Sequence, residues 1–173
     1  MKRILFIVGI VVFSALTING FSQSKVKIGH IDSQELLPLM PEMADAKAAI
    51  EKHAKELEDQ LKAMQQELEA AYNDYIKNES TYSNLVKKTK QDEINSMQQR
   101  IQDFQNAANT DLQNKESELL QPIIDKAKKA IDDVAKEKGY TYVFDTSVGV
   151  LLYWPEDSDD LLPFVKEKLG ITQ

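Results

Sequence analysis

Residues 50–75 read IEKHAKELEDQLKAMQQELEAAYNDY, and the spacing of apolar and small side chains in this stretch decides the fold. Alternating gaps of four and three residues separate these side chains along the whole stretch. This spacing is the a/d heptad pattern of a coiled coil, in which one narrow apolar seam faces a partner helix. The predicted seam positions are Met43, Ile50, Ala54, Leu57, Leu61, Met64, Leu68, Ala71 and Tyr75.

A second heptad run follows and supplies the partner helix. Its spacing slips at Leu112, where a gap of four residues is repeated, and such a stutter locally unwinds a supercoil. The other seam positions of this run are Ile94, Met97, Ile101, Phe104, Ala108, Leu120, Ile124, Ala127, Ile131 and Val134.

The segment between the two runs, residues 78–84, is rich in turn-forming and capping residues, with Ser83 as the N-cap candidate for a second helix. Pro122 predicts a further boundary, because proline removes a hydrogen bond inside a helix. Residues 41–78 and 84–121 are then both 38 residues long. Equal lengths favour an antiparallel hairpin with arms about 57 Å long.

Both chain ends predict short strands and one helix. Residues 25–32 alternate in polarity as a strand does, and residues 140–145 and 148–154 predict a β-hairpin. A final helix is expected at residues 159–169, capped by Asp157 or Ser158. These pieces are too small for a core in one subunit, and oligomerisation is the usual remedy.

The predicted fold class is therefore α+β and mostly α, a small β-rich oligomerisation body with a long helical-hairpin arm. The body is expected to comprise residues 23–40 and 139–173, and the arm residues 41–138 with its tip near 78–84. The body residues predicted to matter for oligomerisation are Ile28, Ile31, Tyr142, Phe144, Leu151 and Tyr153.

Residues 1–22 predict a cleaved secretory signal peptide. Lys2 and Arg3 precede an apolar run of 13 residues, and small residues lie at the −3 and −1 positions of a cleavage before Gln23. Cleavage changes the net charge from −7 to −9, and an acidic chain is a poor partner for nucleic acid. The chain has no cysteine, so neither disulfides nor lipidation are expected in the exported protein.

The sequence contains no motif for a cofactor or a metal. Asp145-Thr146-Ser147 matches the short catalytic motif of aspartic proteases, but the chain lacks the sheet that should surround it. The glycines beyond residue 22 are isolated, which excludes a phosphate-binding loop. His30 and His53 lie in different segments and make a poor metal site; we expect a strand or interface position for His30 and the helix surface for His53. Asp145 predicts a turn in which its carboxylate accepts backbone hydrogen bonds.

The arm offers two kinds of candidate contact. Lys87, Lys88 and Lys90 make the tip locally positive, which fits a solvated helix face or a contact with anionic groups such as membrane lipid. Methionine and aromatic side chains give adaptable apolar contact, although those on seam positions also fit simple seam filling. The residues that could make such contacts with an unfolded polypeptide chain, which we call candidate client residues, are Met64, Tyr72, Tyr75, Tyr82, Lys87, Lys88, Lys90, Met97 and Phe104.

With these elements in place, the chain resembles the Skp/OmpH family of periplasmic chaperones over its whole mature length. The resemblance is carried, besides the two-helix arm, by residues 27–32, 122–123, 134–140, 143–145 and 151–153. It implies a homotrimer whose three arms enclose a cavity, and which holds unfolded outer-membrane β-barrel proteins in the periplasm without ATP. Some family members are strongly basic, whereas this chain is acidic, so electrostatic capture of clients or lipopolysaccharide is not carried over.

The predicted function is accordingly an ATP-independent periplasmic holdase without cofactor or enzymatic activity. A holdase acts by mass action, because binding lowers the free concentration of the unfolded chain. The alternative is a structural or adaptor coiled-coil protein of the cell envelope that binds no unfolded chains.

Overall fold

The computed structural model describes residues 26–171, and the predicted signal peptide lies outside them. Long helices and a small sheet confirm the predicted mostly-α α+β class. No helix in the described range has the length and apolarity needed to cross a membrane. The elements are β1 (Ile28–Ile31), α1 (Ser33–Leu39), α2 (Pro41–Asn78), a short 3-10 helix (Glu79–Thr81), α3 (Asn84–Glu137), β2 (Tyr142–Asp145), β3 (Asp159–Asp160) and α4 (Leu162–Leu169).

Helices α2 and α3 form an antiparallel hairpin, since early residues of α2 contact late residues of α3, and late residues of α2 contact early residues of α3. Near the base, Lys126 forms an ion pair with Glu42. Near the tip, the Gln91 side-chain amide donates to the Tyr75 hydroxyl at 2.8 Å. The turn lies where it was predicted, and the Ser83 hydroxyl caps α3 by accepting from the Val86 N–H at 3.3 Å.

The expected boundary at Pro122 is wrong, because α3 continues through it to Glu137 and is 54 residues long. Proline at this position removes the N–H that would reach the Glu118 carbonyl, and its ring crowds that carbonyl. The helix continues because the residues that follow, Ile123 and Ala127, are packed in the core. At 1.5 Å per residue α3 extends about 81 Å. The two helices of the hairpin are therefore unequal, and the additional length of α3 reaches into the body.

Helix α1 was not predicted from the sequence. The Asp32 carboxylate caps it by accepting from the Gln34 and Glu35 N–H groups at 2.8 and 3.1 Å. It ends at Leu39 because Met40 precedes Pro41 and takes an extended conformation, after which proline opens α2.

The three strands form one parallel sheet in the order β2-β1-β3. The predicted β-hairpin is wrong: residues 148–154 are not a strand, and β2 pairs with the distant β1, Ile28 facing Tyr142. The third strand is Asp159–Asp160, so the last helix begins at Leu162, whose N–H donates to the Asp160 carboxylate at 2.9 Å. Composition indicated an extended segment at 148–154, but a strand also needs a partner.

The hydrophobic core lies where the hairpin base meets the sheet and the short helices. Leu36 of α1, Leu161 and Val165 around α4, and Ile31 of β1 are almost completely buried. Leu161 also lies so close to β1 that a Cβ on Gly29 would come within 2.3 Å of its Cδ1, which explains a glycine in the central strand. The long helices contribute Ala46, Ile123, Ala127, Ala130 and Val134 to this core.

Truncation of Leu36 tests this core. Because the side chain is 0% exposed, Leu36→Ala is expected to lower the free energy of unfolding by about 2–5 kcal/mol. Leu85→Ala, at a side chain 76% exposed near the tip, should change it little. Urea unfolding followed by circular dichroism measures both, and equal losses would contradict the assigned core.

Candidate functional site

The seam of the arm is the most extended surface that the chain builds. Between residues 54 and 75 of α2, the predicted seam residues are the only ones shielded from solvent, and all others are exposed. In α3 the same pattern holds through Met97, Phe104 and Ala108, and continues at Leu112 after the predicted stutter. One face of each helix is thus used for pairing, and the remaining faces are open to solvent.

The candidate client residues on the seam are not equally accessible. Tyr75 is 7% exposed and its hydroxyl bonds to Gln91, so it fills the hairpin near the tip. Met64, Met97 and Phe104 are half-buried and keep part of their surface accessible.

Two candidate tyrosines lie off the seam. Tyr72 is 53% exposed and forms an open apolar surface with Ile76, one turn further on and 54% exposed. Tyr82 is half-buried, and its hydroxyl donates to the Asp74 carboxylate at 3.1 Å.

The lysines at the tip lie next to acidic groups. Lys87 is 4.0 Å from Glu79, and Lys90 is 3.6 Å from Asp74. Lys88 is more exposed than Lys87 and Lys90. Exposed ion pairs of this kind add little stability, but they reduce the positive potential that the sequence suggested.

His53 joins the two helices at mid-arm. Its Nε2 lies 2.6 Å from the Asp111 carboxylate of α3, close to the stutter. The imidazole is only 27% exposed, so it is a bridging residue between the helices. His30 lies in β1 with its Nδ1 3.2 Å from the Ser158 hydroxyl.

The body exposes a large apolar surface. Ile28 is 52% exposed, Tyr142 58% and Tyr153 81%, and Phe144 stacks beside Tyr142 with ring centroids 6.4 Å apart. Ile31, which we had grouped with them, is 2% exposed and belongs to the core of its own subunit. Leu151 lines a groove of about 520 Å³ together with Ile28, Phe144, Tyr153 and Trp154.

The most exposed part of this surface lies outside the residues predicted for oligomerisation. Val148, Val150 and Leu152, between β2 and β3, are 64%, 76% and 96% exposed. Their apolar composition was the available signal, but it was interpreted as the second strand of a β-hairpin. Apolar side chains this exposed, on a continuous surface, are typical of a surface that another chain covers.

Asp145 connects the end of β2 to the start of α1. Its carboxylate accepts from the Ser33 N–H and hydroxyl at 3.2 and 2.5 Å and from the Ser147 N–H and hydroxyl at 3.0 and 2.7 Å. Burial raises the pKa of Asp145, but these hydrogen bonds outweigh burial and hold the pKa below its ordinary value. The group is a structural link of the body, in the kind of turn that the sequence predicted.

No cluster of three or more histidine, aspartate or glutamate side chains that could hold a metal ion occurs within residues 26–171. His30 and His53 lie in the body and in the arm respectively. The candidate functional features are therefore exposed surfaces. The exposed surface of the body is apolar, and that of the arm is of mixed polarity.

A long helical hairpin on a small parallel sheet, with its exposed surfaces, corresponds to a known protein family. The chain matches the family OmpH, described as outer membrane protein (OmpH-like), over residues 27–169. Because the match spans most of the chain, the protein belongs to the OmpH-like family. This is a family of periplasmic, chaperone-like proteins connected with outer-membrane proteins. Among curated proteins, none matches the chain.

The hydrogen bonds of Asp145 predict a pH-dependent contribution to stability. Asp145→Asn should lower the free energy of unfolding by about 1.5–3 kcal/mol at neutral pH, because several donors lose a charged acceptor. A lowered pKa stabilises the fold above the ordinary value of 3.8, and this contribution is lost as the pH falls through the lower pKa of the folded state. The gap between native protein and variant should therefore close below pH 3.8, as measured by urea unfolding across pH.

Asp157→Asn, at an exposed residue of the loop before β3, is the matched control and should leave stability unchanged at every pH. A gap for Asp145→Asn that persists in acid would contradict the assignment of the stabilisation to the carboxylate.

Proposed function

We propose that the protein is an ATP-independent periplasmic holdase that binds unfolded outer-membrane β-barrel proteins and prevents their aggregation. The observation that carries this proposal is the arm: a hairpin with a single seam and long solvent-exposed faces, in a chain of the OmpH-like family. Such an arm contacts other chains through many weak interactions along its length. Weak multiple contacts allow capture and later release without an energy source.

We further propose that the protein acts as a homotrimer. The support is the apolar surface of the body, where Ile28, Tyr142, Phe144 and the loop 148–154 are exposed together. The residues of the loop are apolar and of types common in strands. The loop nevertheless lacks a strand partner within the described part of the subunit. Neighbouring copies would cover this surface and would hold the arms around a shared space.

The domain boundaries and the export route are part of the same proposal. Residues 1–22 would be removed as a signal peptide, residues 23–40 and 139–173 would form the oligomerisation body, and residues 41–138 would form the arm. The candidate client contacts are those of the arm, with Tyr72 the most exposed aromatic among them. Contact of the tip with anionic lipid would depend chiefly on Lys88, since Lys87 and Lys90 have acidic neighbours.

Holdase activity is tested by light scattering as a urea-unfolded outer-membrane β-barrel protein is diluted into buffer without nucleotide. We expect the mature protein to suppress scattering and the effect to saturate near one client per three chains. Scattering that is unchanged at every ratio would contradict the proposal and favour an adaptor that tethers folded envelope components.

The trimer is tested at Leu152, which is 96% exposed in the single subunit. Leu152→Asp should cost the isolated subunit almost nothing, but an aspartate buried between subunits is strongly unfavourable. Sedimentation velocity should give a three-chain mass for the native protein and a lower mass for the variant. Leu85→Asp makes the same change at an exposed leucine of the arm tip and should keep the native mass. If Leu152→Asp also keeps it, the proposed interface is wrong.

A further inference from the structure

Two grooves open on either side of the seam in the middle of the arm. Their volumes are about 400 and 660 Å³, and they share a floor made by Leu57, Phe104 and Ala108. The first groove is also lined by Ala54, Leu61, Gln102, Gln105, Asn109 and Leu112. The second is also lined by Ala107, Thr110, Asp111 and Asn114.

The grooves are open because small residues coincide with the stutter. Ala54 and Ala108 occupy seam positions where leucine would fill the space between the helices. The stutter between Ala108 and Leu112 unwinds the supercoil at this level and shifts the next seam residue. The hydrogen bond between His53 and Asp111 holds the two helices together at the same level. The grooves therefore stay open although the helices remain paired.

The rim of the grooves is polar, with Glu58 on the α2 side and few charges on the α3 side. Residues 94–114 contain nine asparagine or glutamine residues among 21 and only three charged ones, a composition that differs from the rest of the arm. Of the charged residues, Asp111 is bonded to His53, and Asp103 accepts from the Gln99 side chain at 2.9 Å. Side-chain amides both donate and accept hydrogen bonds, as the peptide backbone does.

We propose that these grooves bind short extended segments of unfolded polypeptide, an inference that rests on the holdase function proposed above. One apolar side chain of the segment would lie on the floor against Leu57 and Phe104, and the segment's backbone would bond to the amides of the rim. The chemistry disfavours an anionic ligand such as a lipid headgroup, because the described residues that line the grooves include Glu58 and Asp111 but no lysine or arginine. Recognition of backbone and one apolar side chain tolerates many client sequences.

The test fills the shared floor of the grooves with a larger side chain while keeping the seam apolar. Ala108→Leu adds an apolar side chain at a seam position, so the helices should still pair, but the floor is then occupied. Ala70→Leu makes the same change at an exposed residue of α2 outside the grooves. The mature full-length protein is titrated with a fluorescently labelled synthetic peptide of alternating valine and serine, and binding is measured by anisotropy.

We expect Ala108→Leu to raise the Kd of the peptide about tenfold, which is the affinity that one buried apolar side chain supplies. Ala70→Leu should leave the Kd unchanged. A tenfold rise in salt should change the native Kd less than about twofold, because neutral amides are not screened.

A second variant tests the rim. It also tests the proposal on its own if circular dichroism shows that Ala108→Leu does not fold. Replacing Gln102, Gln105 and Asn109 together by alanine should weaken peptide binding severalfold. Replacing Gln60, Gln65 and Gln66, which are exposed on α2 and do not line the grooves, should not.

The outcomes separate this inference from the proposed function. If the native protein binds the peptide and suppresses aggregation but the groove variants do so equally well, the grooves are not the site and the holdase function stands. If the native protein does neither, both proposals fall. A change in sedimenting mass for Ala108→Leu, with peptide affinity retained, would instead assign the grooves to contact with a second copy of the chain and would overturn the inference.

Discussion

The packing of α2 against α3 along one apolar seam is the interaction on which the rest of the structure depends. At its base the seam merges into the body, where Ala46 and Ala127 join the core around Leu36 and Val165. Above that level, the arm has only the narrow seam to hold it, supplemented by links such as His53 with Asp111. Without this pairing, β1 and β2 would not be brought together, since the whole hairpin connects them.

A protein built around one seam keeps much of its surface available to other chains. The body exposes apolar side chains on Ile28, Tyr142 and the loop 148–154, which is more than a small isolated body can leave uncovered. The arm combines half-buried seam residues such as Phe104 with an amide-rich stretch of α3 at residues 94–114. The two surfaces suit different partners, because a permanent interface needs continuous apolar area and a holdase needs weak, adaptable contacts.

Local patterns in the sequence predicted the arm well. The burial of residues 54–75 and 94–112 follows the predicted heptads, and the turn and the cap at Ser83 were correct, because each depends on residues within a few positions of one another. Pro122 was misjudged, since a proline breaks a helix only when its surroundings do not support the next turn. The prediction for the loop 148–154 was wrong because apolar composition does not determine which strand lies beside a segment, and β2 instead pairs with β1, more than a hundred residues away.

For the candidate surfaces too, local features could be predicted from the sequence and features that depend on distant contacts could not. The sequence alone determined that the chain has a long two-helix arm, which residues form its seam and which aromatics lie off it, because helical periodicity fixes the face on which each residue lies. Only the tertiary structure showed that Ile31 is buried while Ile28 is open, that Lys87 and Lys90 have acidic neighbours, and that Ala54 and Ala108 line the same groove. These features depend on the register between distant segments, and register is set by the packing of the whole molecule.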